Sequence, residues 1–80
     1  MKIVLVKYQD PIAYNGWHSV QEVGVCPSAS CFAAGFLVDQ GPEYPDILVA
    51  AAWWKEQGDV NSYMSIPKKC VESMEVIKEV

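Results

Sequence analysis

Apolar residues recur along this chain with the period of a pleated strand. In residues 2–8, Ile3, Leu5 and Lys7 alternate with Lys2, Val4 and Val6, and β-branched side chains dominate, which predicts a strand with one or both faces partly buried. Residues 30–39 alternate more cleanly, with Phe32, Ala34, Phe36 and Val38 on one face and Cys31, Ala33, Gly35 and Leu37 on the other. Gly35 in the middle of that run predicts a bulge or bend, of the kind a small barrel needs where a strand turns a corner. Residues 46–54 predict a third strand. Ala50, Ala51 and Ala52 favour helix, but the space between the break at Pro45 and the turn at 55–59 is too short for one of ordinary length. The second and third strands should pair as an antiparallel hairpin. Residues 60–66 alternate again up to Pro67, residues 67–70 have the length of one tight helical turn, and residues 71–77 read as a last strand.

The connection between the first two strands is different in kind. Asp10, Pro11, Asn15 and Gly16 supply turn chemistry, and Trp17 after them is expected to plug the core. Ser19 and Glu22 have the spacing of a capping box, but Gly24 and Pro27 limit it to a short helical turn. Five short strands in 80 residues predict one mainly β domain over residues 1–80, rolled into a closed or partly closed barrel that would hide its apolar edges.

Composition narrows the function classes. Hydrophobic residues make up 51% of the chain and charged ones 20%, which is enough apolar surface to fold. The longest nearly uncharged apolar stretch, residues 47–54, is far shorter than the roughly 20 residues of a membrane-spanning helix. The apolar start, residues 1–6, is too short for a secretory signal, so a cytoplasmic location is expected. Six lysines stand against ten acids, net charge −4, with no arginine, which argues against direct DNA or RNA binding. The acids are scattered, so a DNA mimic has little basis either.

The order of parts, a strand, a long loop ending in Trp17, a hairpin, a strand finishing at Ile66 and Pro67, a helical turn and a last strand, resembles an SH3-like barrel. More narrowly, Trp17 with Glu22, the run Ala34-Gly35-Phe36-Leu37-Val38, Ile47-Leu48-Val49-Ala50 and Ile66-Pro67-Lys68-Lys69-Cys70-Val71 resemble small accessory proteins of tailed bacteriophages. In those proteins Ser-Val typically precedes the glycine, where Ala33 and Ala34 stand here, and the last strand typically ends near Ile-x-x-Leu, where Val76 and Ile77 stand. The resemblance implies a five-stranded SH3-like barrel with short helical turns after Trp17 and near Pro67, working in the cytoplasm of a bacterial host. It also implies an accessory role: blocking a host enzyme, blunting a defence system or sequestering its nucleotide signal.

The candidate chemistry is sparse. His18 has only Ser19 and Cys26 as nearby nucleophiles and no orienting acid, so no catalytic residue is assigned and the chain is read as a non-enzyme. Cys26, Cys31, Cys70 and His18 would make a zinc site only if folding converged them; small packed thiols are the simpler reading, and no metal or cofactor is expected. Trp53 and Trp54 face opposite sides of their strand, so one of them needs a cover, such as the loop 9–16 with Tyr14, or an interface. Lys68 and Lys69 read most simply as a solvated pair, although with Tyr63 or Trp54 they could hold a phosphorylated ligand between copies of a homo-oligomer. Three functions follow as expectations: inhibition of a host or anti-phage defence protein through Trp53 and Trp54, an oligomeric sponge for a nucleotide immune signal, and a minor phage structural or assembly protein.

Overall fold

A computed structural model of the chain describes residues 1–10, 17 and 29–80. Five strands follow one another: β1 (Lys2–Asp10), β2 (Ala29–Val38), β3 (Asp46–Trp54), β4 (Asp59–Pro67) and β5 (Val71–Glu79), with a 3-10 helix (Lys68–Cys70) between the last two. All pairings are antiparallel and the strands form one sheet in the order β4-β3-β2-β1-β5. The alanine run of β3 is strand along its whole length, and the helical turn expected near Pro67 is the 3-10 helix. The turn expected after Trp17 lies outside the described residues.

Register explains which side chains meet. Val4 lies opposite Gly35, Val6 opposite Ala33, Leu37 opposite Val49, and Ile47 opposite Ile66, which puts all eight on one face. Val4, Val6, Val49 and Ile66 form the buried cluster on that face, with Tyr8, Ala33, Leu37, Ile47 and Val71 packed around it. Burying each of these aliphatic side chains contributes about 1.5 to 3 kcal/mol. Ile66 belongs to β4 and the two valines to β1, three places away in the strand order, so the sheet must curl to bring them together. The Tyr8 hydroxyl follows the same curvature and donates to Met64 Sδ at 3.6 Å.

The curl has a pivot at Gly35. β2 pairs with β1 from residue 29 to residue 36 but meets β3 over only three positions, Phe36, Leu37 and Val38. At Gly35 the two strands cross so closely that an added Cβ would sit 2.4 Å from the Ala50 carbonyl oxygen and 3.0 Å from a Val49 methyl. The register of β2 against β1 runs through Gly35 without a shift, so what glycine provides here is room for β3, and the β2–β3 pairing is short. Beyond the crossing, the outer ends of β3 and β4 continue as a two-stranded ribbon closed at Gly58 (φ 75°), whose amide donates to Trp54 O at 2.8 Å.

Two expectations need correction. The sheet is not closed: β4 and β5 are its two ends, and no pairing registers one against the other among the described residues. Trp17 does not plug the core; its side chain is fully exposed. The buried cluster is filled by small aliphatic side chains from the strands themselves, and a tryptophan in the β1–β2 connection is not needed to complete it.

One polar contact ties β5 to β1. Glu72 accepts from Gln9 and lies 3.3 Å from the Lys7 ammonium, and the Gln9 bond first and Lys7 second hold its carboxyl below the ordinary range. A depressed carboxyl pKa contributes stability that is complete above the unfolded-state value, roughly 4.3, and is lost as pH falls through the lower folded-state value. Urea unfolding at pH 7 should therefore give a lower midpoint for Glu72→Gln than for the parent chain, and the gap should close at pH 2 to 3. A gap of equal size at both pH values would show that the carboxylate charge plays no part.

Candidate functional site

β3 delivers the two adjacent tryptophans to different environments. Trp53 is half-buried, its ring 6.1 Å from that of Phe36 and tilted by 56°, within the usual range for aromatic pairs. It also lines an open cleft of about 470 Å³ with Met1, Lys2, Leu37, Asp39 and Glu79. Trp54, the last residue of β3, has 60% of its surface exposed. Its carbonyl accepts from the amides of Gln57 and Gly58, so the turn that closes the ribbon also fixes the backbone that presents the indole. Strand alternation thus left one of the pair outside, and it is Trp54. Tyr14, expected as part of a cover, lies outside the described residues, as do His18, Ser19 and Cys26.

A second apolar surface opens where β2 and β3 part. Phe32 (63% exposed), Tyr63 (64%) and Met64 border a groove of about 390 Å³ whose floor includes Ala33, Ala34, Ala50 and Ala51. Tyr63 was expected in the site, whereas Phe32 and Met64 were not. Alternation assigns Phe32 to a face, but its exposure follows from β2 leaving β3 at Gly35, which no periodicity records.

Lys68 and Lys69 are placed less favourably for an anion. The Lys68 ammonium donates to Pro42 O at 2.9 Å, and its backbone amide donates to Pro45 O at 3.0 Å. It lines a cleft of about 290 Å³ together with Asp39 and Asp46, carboxylates that would repel a phosphate. Tyr63 lines two other clefts, of about 390 and 320 Å³, and neither includes Lys68 or Lys69 in its lining. Lys69 is exposed on the 3-10 helix.

Thiol and acid-base chemistry complete the inventory. Cys31 and Cys70 are half-buried thiols, with Cys31 opposite Tyr8 in the β1–β2 register. Burial, then the Cys31 thiol and Asp10, hold the Tyr8 phenol above its ordinary value. Tyr8 and Glu72 therefore shift in opposite directions, each away from neutrality, where a general acid or base would have to work. No group of three His, Cys, Asp or Glu side chains placed to hold a metal occurs among the described residues, and no helix there is long and apolar enough to cross a membrane. No family model matches the chain, and comparison with curated proteins and with solved structures gives no significant match.

Proposed function

We propose that this chain is a non-enzymatic binding protein that docks a protein partner against the aromatic surface at the end of the β3–β4 ribbon, with Trp54 as the anchor. The observation that carries this reading is the split of the adjacent pair: Trp53 is tucked against Phe36 while Trp54 stands in solvent on a backbone fixed by two hydrogen bonds. An exposed indole on a rigid turn offers much contact area at little entropic cost, which is why tryptophan dominates binding hot spots. The resemblance to phage accessory proteins supports a host or anti-phage defence protein as the partner, inhibited by occupation. The fold proposed with it is an SH3-like barrel, supported by the strand order, the close approach of β2 and β3 at Gly35 and the curl that packs Ile66 on Val4 and Val6.

The test is native mass spectrometry of the protein gently purified from host cells, followed by affinity measurement with the retained partner. Trp54→Ala should weaken binding by about 2 kcal/mol, roughly 30-fold in Kd, while the double change Lys68→Glu and Lys69→Glu leaves it nearly unchanged. The opposite pattern, with the lysine pair essential and Trp54 dispensable, would overturn the reading and favour capture of a phosphorylated small molecule.

A further inference from the structure

We infer that copies of this chain assemble head to tail, the free edge of β4 in one copy pairing with the free edge of β5 in the next. The inference does not depend on the role proposed for Trp54. It starts from the strand order, in which β4 and β5 are the two ends of an open sheet and, among the described residues, each has a strand neighbour on one side only. An unpaired edge presents a row of backbone donors and acceptors, and soluble proteins usually blunt it with charge, proline or a covering segment.

Both edges also carry large apolar side chains, beside the charges of β5 and the terminal Pro67 of β4. Tyr63 and Met64 on β4, and Met74, Val76 and Ile77 on β5, are all large and exposed. Only Val4, Val6, Leu48, Val49, Ala50 and Ile66 are buried among the described residues, so the single copy leaves much of its apolar surface in water. A domain of this size has little stability to spare, and burial between copies would add to it.

The chemistry of the edges points to a second copy and to a particular pairing. Both strands are nine residues long. β4 carries one charge, Asp59 at its first position, whereas β5 carries Glu72, Glu75, Lys78 and Glu79. Pairing β5 with β5 would set a glutamate-rich edge against itself, which like-charge repulsion disfavours. Pairing β4 with β4 would leave Met74, Val76 and Ile77 of both copies uncovered. Pairing β4 with β5 brings an almost uncharged edge to a charged one and uses both edges of every copy.

Backbone geometry limits where the joint forms. Ser62 (φ 54°) is skipped in the β3–β4 register, which divides β4 into two paired stretches, residues 59–61 and the longer 63–67. On β5 the pairing with β1 is regular over residues 73–76, between two register shifts. A joint between unlike edges uses both edges of every copy when the assembly closes, either as a two-fold dimer with two such joints or as a larger ring.

The experiment is native mass spectrometry and sedimentation of the parent chain and two variants, one blocked on β4 (Tyr63→Lys with Met64→Lys) and one blocked on β5 (Met74→Lys with Val76→Lys). The parent should give a discrete closed oligomer of two or more copies, each variant alone a single chain, and an equimolar mixture a complex of one copy of each variant, because each variant keeps the edge the other lacks. Recovery of that complex also shows that both variants fold. A parent that stays a single chain at high concentration overturns the inference. So does a β4-blocked or β5-blocked variant that still dimerises alone, since that indicates like-edge pairing. If either variant fails to fold, hydrogen exchange of the parent at high concentration decides: slow exchange in both 63–67 and 73–76 supports the joint, and fast exchange in either strand overturns it.

Discussion

Replacing Ile66 with alanine is expected to lower unfolding free energy by about 3 to 4 kcal/mol, the usual cost of truncating a buried isoleucine and leaving a cavity. Ile66 is 2% exposed and is the residue through which β4 joins the cluster of Val4, Val6 and Val49. Its loss therefore removes contact area and also the reason for the sheet to curl. A small single-core domain has a stability of roughly 3 to 5 kcal/mol, so most of the variant should be unfolded or close to its midpoint in dilute buffer at 25 °C. Urea unfolding followed by far-ultraviolet circular dichroism reads the effect directly. Val80→Ala is the control, because Val80 is also aliphatic but is 43% exposed and lies beyond the end of β5, and its cost should stay at about 0.5 to 1 kcal/mol. Equal losses for the two would place the core elsewhere.

Gly35→Ala should cost about 2 kcal/mol, and Gly35→Val more. The usual effect of replacing glycine by alanine in a strand is favourable, by about 0.4 to 1 kcal/mol, because the unfolded chain loses freedom. Gly35 does not have a positive φ, so the backbone conformation is open to alanine. The obstacle is a neighbour. The new methyl would lie 2.4 Å from the Ala50 carbonyl oxygen, a backbone atom of a strand paired on both sides, which cannot swing aside as a side-chain tip could. Relief requires β2 and β3 to separate at their crossing, where only three residue pairs join them. The clash therefore outweighs the entropic gain. A more stable alanine variant in the same urea titration would show that β2 can move away without loss, and that the crossing does not require glycine.

Much of the strand pattern was legible in the sequence. β3 has the limits that Pro45 and the turn at 55–59 impose, and Pro67 ends β4 immediately before the 3-10 helix. Gly35 stood out because glycine is costly in a strand unless something approaches it, and Ala50 does. What periodicity does not encode is which strands remain neighbours along their whole length. Phe32 and Phe36 have the same parity in β2, but Phe36 retains β3 beside it and is half-buried while Phe32 is exposed past the crossing. Trp17 failed as a core prediction for a related reason: size and hydrophobicity suggest burial, but the cluster is completed by residues distant in sequence. For the candidate site, parity dictated that one of Trp53 and Trp54 would face outward, and the ring contact of Trp53 with Phe36 decided which. The lysine pair was visible as composition, whereas the partners that engage Lys68 come from the loop before β3.

The pairing of β1 with β5 also governs when the sheet can form. Lys2 lies opposite Glu79, so β1 acquires its second neighbour only after residues 71–79 have left the ribosome. Its first neighbour, β2, comes sooner, but Asp10 must still find Ala29, separated from it in sequence by residues 11–28. Contacts so distant along the chain incur loop-closure entropy before they return any burial, which makes folding slow for a domain of this length, on the order of milliseconds to seconds. During that interval β3 and β4 can form their local ribbon and wait, with Ile66 in water, for a strand that is made first and paired last.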